Sequence, residues 1–141
     1  KKWNGRYYFS GDSAKQDEEG YFWLLGRIDD VINVSGHRIG SVEIENALIS
    51  YPIIAEAAVV AIHHSIKGQA IAAFATLKEG VIADENAAAQ IKQHVVEKIG
   101  AIARPEKILF VQDLPKTRSG KIMRRLLRDI AEGHVLGDTS T

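Results

Sequence analysis

The chain contains no cysteine, which excludes disulfides, a thiolate nucleophile and a cysteine-based zinc site. Long apolar runs are also missing: none approaches the ~20 residues a membrane-spanning helix requires, and nothing reads as a signal peptide. Net charge is absent too. The 18 basic side chains balance 18 acidic ones, so composition gives no sign of a nucleic-acid or membrane partner. Metal-type clusters are lacking. His63 and His64 are adjacent, so on a strand they point to opposite faces and cannot chelate one ion together, and no metal is expected on this chain alone. What remains is a chain of 141 residues, 45% of them hydrophobic, enough for one compact core and an attached fragment. It begins Lys-Lys-Trp without an initiator methionine and is expected to be a piece of a longer protein.

Acidic residues are absent from one place in particular. Between Lys116 and Arg128 the sequence carries Lys116, Arg118, Lys121, Arg124, Arg125 and Arg128 and no Asp or Glu. The stretch 115–125, Pro-Lys-Thr-Arg-Ser-Gly-Lys-Ile-Met-Arg-Arg, runs into a segment where Met123, Leu126, Leu127 and Ile130 recur at helical spacing. Arg124, Arg125 and Arg128 fall on the other side, so Lys121 sits where a glycine-containing loop becomes a helix. A phosphate-binding P-loop is rejected, because Gly120-Lys121 is followed by Ile122 and position 115 is proline. Taken alone the cluster reads as a solvated basic face. The other reading is a lysine delivered to an anionic reaction centre.

In chain order, residues 6–12 and 21–25 are aromatic-rich strand candidates joined by the turn Asp17-Glu18-Glu19-Gly20. Residues 31–34 and 37–39 are strands about a Ser35-Gly36 turn. Ser41 is expected to cap a helix over 41–50, with Glu43 and Glu45 in its first turn. Residues 55–63 and 69–77 read as a buried hairpin. A longer helix opens at Asp84, with Ala87, Ile91, Val95 and Ile99 as its core face, and stops at Gly100 and Pro105. A strand over 107–111 precedes the basic loop. The pattern predicts an α+β fold: a short mixed sheet flanked by helices, preceded by a β-hairpin.

Several residues suit an anionic ligand. Asp12 follows Gly11 at a strand end, where a carboxylate can accept from a sugar diol, although a turn residue bonding its own backbone has the same signature. Arg27 is a guanidinium fork able to grip phosphate or ribose oxygens, or a surface partner of Asp29 or Asp30, and Arg38 offers a second fixed cation. Gly36 permits a tight turn or a close ligand approach.

The motifs Phe9-Ser10-Gly11-Asp12, Gly26-Arg27-Ile28-Asp29-Asp30-Val31-Ile32-Asn33-Val34-Ser35-Gly36-His37-Arg38-Ile39-Gly40 and residues 115–125 strongly resemble the AMP-forming acyl-CoA synthetases of the adenylate-forming superfamily. The residues around Gly36 are similar to those of the acetyl-CoA and propionyl-CoA synthetase branch. The resemblance implies that residues 1–29 are the last hairpin of a large N-terminal domain plus the hinge, and residues 30–141 a mobile C-terminal lid. It implies nucleotide contacts from Asp12, Arg27 and Arg38, a hinge at Asp29, CoA contacts from Ser35 and Gly36, and an adenylation lysine at Lys121. The implied substrates are ATP, CoA and a short carboxylic acid such as acetate, with Mg2+ held through the N-terminal domain. A protein acetyltransferase and a deacetylase acting on Lys121, and a cytoplasmic location, are implied as well. Two positions depart from the pattern: Ser10 stands for the usual threonine, and Val96 where relatives carry an arginine that meets CoA phosphates. The rival readings are an adenylation domain that loads a carrier protein and a non-enzymatic anion-binding module.

Overall fold

The computed structural model of the chain describes residues 3–134, without the side chains of residues 3, 4, 24, 25 and 29. Two small antiparallel hairpins come first: β1 (Trp3–Asn4) with β2 (Tyr7–Tyr8), and β3 (Asp12–Gln16) with β4 (Phe22–Arg27). This corrects the expected pairing of 6–12 with 21–25. Gly11, at φ +81°, ends the aromatic run, and its carbonyl accepts from Ile28 N at 2.8 Å. The strand that meets β4 is therefore the polar stretch after Gly11. Strand propensity had pointed to the aromatics, but turn geometry sets hairpin register.

The turn itself lies where expected and is tied down by Asp17. Its carboxylate accepts from Glu19 N (3.0 Å), Tyr21 N (2.9 Å) and Trp23 Nε1 (2.9 Å). These bonds, the indole foremost, hold the Asp17 carboxyl below its usual range. A depressed carboxylate pKa stabilises the hairpin above the unfolded value, and that support is lost as pH falls through the folded one. The Trp23 indole N–H resonance is accordingly expected to shift on acidification with a midpoint below that of an unperturbed aspartate, measured by proton–nitrogen NMR. A midpoint at or above the unperturbed value contradicts the contact.

A short 3-10 turn, Ile28–Asp30, is all that separates β4 from β5 (Val31–Val34) of the main sheet. There β5 pairs with β6 (His37–Gly40), and β7 (Ile54–His64) with β8 (Gly68–Leu77), all antiparallel. The second edge of β8 meets β5 at Gly68 and, in parallel, β9 (Lys107–Phe110) over Ala72–Ala75, which makes the sheet mixed. Along β7, Ala57, Val59 and Ala61 enter one core, and Ala58, Val60 and Ile62 enter a second on the opposite face. Burial on both faces explains why β7 and β8 read as continuous apolar runs rather than alternating ones.

Helices α1 (Ser41–Ile49) and α2 (Glu85–Lys98) cover the first face. The α2 reading holds in detail: Ala87, Ile91 and Val95 are buried, and Asp84 caps the helix by accepting from Ala87 N at 2.7 Å. The reading of α1 needs correction. Ser41 is its first residue rather than its cap, and Ser41 Oγ is buried with no partner among the described residues. Glu45 is not a first-turn surface acid either; it is buried, at 8% exposure.

Helix α3 (Arg124–Glu132) covers the second face and is turned relative to the expected stripe. Leu127 and Ala131 are buried, Arg124 is half-buried, and Ile130 is exposed. The cause is the Arg124 guanidinium, which is drawn inward to Glu45 and so rotates positions 124, 127 and 131 toward the sheet.

Candidate functional site

Lys121 lies on the returning arm of a small hairpin, not at a helix start. Gly120 N donates to Thr117 O at 2.9 Å and Thr117 N to Lys121 O at 2.8 Å, closing a turn in which Gly120 takes φ +82°. A bridge between Lys116 and Ile122 and a bond from Met123 N to Pro115 O (2.9 Å) complete the stem. Lys116 Nζ reaches Glu56 at 2.8 Å. The Lys121 side chain stands exposed, and its ammonium contacts no acid among the described residues. Such a lysine is free to meet an anion brought to it.

Asp12 and Arg27 are register partners across β3 and β4. Arg27 Nη1 lies 3.8 Å from the Asp12 carboxylate and donates to Ser10 O at 3.2 Å. A side chain at Gly11 would meet Arg27 Nη2 at 3.0 Å, the far end of a half-exposed side chain that can give way, so it is the φ of +81° that calls for glycine. Arg27 and Arg38 line one hollow of about 800 Å3, with Ser13, Asp30, Ser41 and Asn46. Arg38 and Gly36 line another of about 650 Å3, with Asn33, Lys67 and Gln69.

Ser35 (φ +50°) and Gly36 (φ +83°) form a two-residue turn with both central residues left-handed, the type that joins tight hairpins. Ser35 N donates to Lys67 O at 3.0 Å. Nothing among the described residues lies within 4 Å of where a Gly36 side chain would begin. Glycine is required there by conformation rather than by crowding from this chain. Asp29 lies in the 3-10 turn between the two sheets.

The structure therefore brings Asp12 and Arg27 together, puts Arg27 and Arg38 on one wall, and sets Ser35 and Gly36 beside Arg38. Among the described residues no bond and no shared hollow joins Lys121 to them, and its hairpin lies far from the Ser35-Gly36 turn in particular. Glu56, under the Lys121 hairpin, is near the start of β7, whereas the Ser35-Gly36 turn adjoins Lys67 and Gly68 beyond its far end. Eight residue steps from Glu56 to His64 amount to about 27 Å of strand. The molecule has two separate ends.

Residues 43–121 match the AMP-binding enzyme C-terminal domain. The chain belongs to this family. Over 99% of its length it is 65% identical to the acetyl-coenzyme A synthetase of Gemmatimonas aurantiaca, and over 97% it is 57% identical to that of Nitrosomonas europaea. It spans about 22% of the length of each of these relatives. Among solved structures, an acyl-CoA synthetase of Brucella canis superposes with a TM-score of 0.71 at 40% identity, over 91% of this chain and 24% of that one. Membership of the AMP-binding enzyme C-terminal domain family accords with the α+β fold, with three helices on a mixed sheet.

One feature of this family member had no signal in the sequence reading. Glu45 Oε1 accepts from Val59 N at 2.9 Å, and the carboxylate grips Arg124, with Nη2 to Oε2 at 3.2 Å. Arg124 Nη1 also donates to Val59 O at 3.1 Å. Burial pulls the guanidinium pKa down, but the bonds and charge of Glu45, with the charge of Asp30, outweigh it and hold it above the usual arginine value. The partners are 79 residues apart. Only the inward acid of α1, conspicuous on an otherwise apolar face, could have hinted at the pair.

Proposed function

We propose that this chain is the C-terminal part of an AMP-forming acetate–CoA ligase, and that its two ends serve two successive half-reactions. In the first, an acetate oxygen attacks the α-phosphorus of ATP, and pyrophosphate leaves with the electrons of the broken P–O bond. In the second, the CoA thiolate attacks the acyl carbonyl and AMP departs. Lys121 is assigned to the first step, because two anions must converge and a cation reaching both lowers that barrier. Asp12, Arg27 and Arg38 are assigned to ribose and phosphates. Ser35 and Gly36 are assigned to the CoA path, with Asp29 as the hinge on which the lid turns between the steps.

The observation that carries this reading is 65% identity to an acetyl-coenzyme A synthetase over nearly the whole chain. The separation of the Lys121 hairpin from the Ser35-Gly36 turn supports two orientations, since a single docking cannot offer both ends to one substrate. Tyr7, Phe9, Tyr21, Phe22 and Trp23 are all more than half exposed, which supports an upstream domain lying against these hairpins. The proposal assigns residues 1–29 to the large domain and hinge and 30–141 to the lid; residues 1–2 and 135–141 lie outside the described part.

ATP and CoA are the substrates on this reading. The Mg2+ that accompanies ATP is assigned, by the family resemblance, to the upstream domain. Among the described residues no helix is long and apolar enough to cross a membrane. A cytoplasmic enzyme whose Lys121 is a target for acetylation and deacetylation completes the proposal.

Pyrophosphate exchange by the full-length protein across short acids tests it. Exchange is expected to be highest with acetate. Exchange highest with propionate would move the assignment to the neighbouring branch, and none with any acid would end it.

A further inference from the structure

The buried acid of α1 has no part in the chemistry above, yet it is bonded to the arginine three positions after Lys121. Arg124 is the first residue of α3 and follows Lys121 by three positions. The chain between them has no slack, because Met123 N is bonded to Pro115 O and Ile122 is bridged to Lys116. The hairpin is pinned to β7 at both arms, through Lys116 to Glu56 and through Arg124 to Val59 O. The two pins differ in kind. Lys116 and Glu56 have side chains 40% and 49% exposed, and pairs in that setting contribute little. The side chains of Arg124 and Glu45 are 27% and 11% exposed and meet through both carboxylate oxygens, a geometry that fixes direction as well as distance. Glu45 is itself held by Val59 N, so its carboxylate cannot drift along the helix.

We propose that Glu45 is the positioning residue for Lys121. Through Arg124 it fixes the first turn of α3, and with it the height and direction at which the lysine leaves the sheet. The inference rests on the assignment of Lys121 to adenylation. Displacing a group of this kind by about 1 Å can cost up to ~10²-fold in rate.

Two full-length variants separate positioning from stability. Glu45→Gln keeps the shape and the acceptor for Val59 N but removes the charge. The double variant Glu45→Leu/Arg124→Met replaces the pair with apolar groups of similar volume, a change that commonly restores stability without restoring directional bonds. Melting temperature, kcat and ATP KM of pyrophosphate exchange, and acetyl transfer from supplied acetyl-adenylate to CoA are measured for each. Exchange kcat is expected to fall ~10-fold or more in both variants, with ATP KM and acetyl transfer within about twofold of the parent, even where the double variant melts like the parent. Parental exchange in a double variant of parental stability overturns the proposal. So does a fall of both half-reactions in step with melting temperature. Lys121→Ala, assayed alongside, distinguishes the two failures. If it retains exchange, the assignment of Lys121 fails and the positioning role with it. If it loses exchange while the Glu45 variants keep theirs, only the positioning role fails.

Discussion

On the proposed reading, Lys121→Ala in the full-length enzyme is expected to lower acetate-dependent pyrophosphate exchange by ~10²–10³-fold, the range for removing one preorganised donor from a developing anion. The argument is electrostatic. Carboxylate and α-phosphate repel until a cation spans them, and on this reading closure of a lid would remove the water that otherwise screens the charge. The structure shows why this loss should not be confused with unfolding. Lys121 is exposed, and the hairpin is held by backbone bonds and by the Lys116–Glu56 and Arg124–Glu45 pairs, none of which uses its ammonium. Surface substitutions of this kind change stability by about 0.5 kcal/mol or less. Acetylation of Lys121 is expected to act in the same direction, since it removes the charge and adds bulk. Full exchange activity in a well-folded Lys121→Ala enzyme would end the assignment.

The second large effect is expected at Asp29. Residues 28–30 alone connect β4 to β5, and the backbone is extended on either side, with Arg27 at φ −78°, ψ 143° and Val31 at φ −88°, ψ 128°. A rigid-body swing is absorbed by a few residues at element ends, and no others are available here. Proline at 29 fixes φ, deletes an N–H and drives Ile28 out of the helical region, so Asp29→Pro opposes the turn seen in this structure. A proline set against a helical turn costs ~3 kcal/mol. If that bias falls on one lid orientation, the two half-reactions should diverge by ~10²-fold. Rates of pyrophosphate exchange and of transfer from acetyl-adenylate, measured separately, decide the matter. Equal losses in both would argue against a hinge.

Much of the architecture was legible because local signals agreed with burial. The α2 stripe, its Asp84 cap, the buried β7–β8 hairpin and the Ser35-Gly36 turn each followed from spacing or from a single residue type. The N-terminal hairpins were not, because aromatic propensity pointed to residues 6–12 while Gly11 broke the strand there. Ser41 was misread for a related reason: a residue suited to capping sits one position inside the helix, and Gly40 takes the cap. The face of α3 was misassigned because periodicity counts arginine as polar, whereas Arg124 is drawn inward by an acid distant in sequence. For the candidate site, the sequence singles out residues one at a time, but their division between two ends of the molecule is a property of the topology. Pairing order, which sets that division, leaves no mark at any one position.

That division is the centre of the account, and a single-turnover assay tests it most directly. Full-length Lys121→Ala enzyme is mixed with acetyl-adenylate and CoA, and acetyl-CoA is followed over the first turnover. Because the Ser35-Gly36 turn and the Lys121 hairpin adjoin opposite ends of β7, whose span from Glu56 to His64 is about 27 Å, the account predicts transfer at the parental rate. A loss of transfer as large as the loss of pyrophosphate exchange would contradict it.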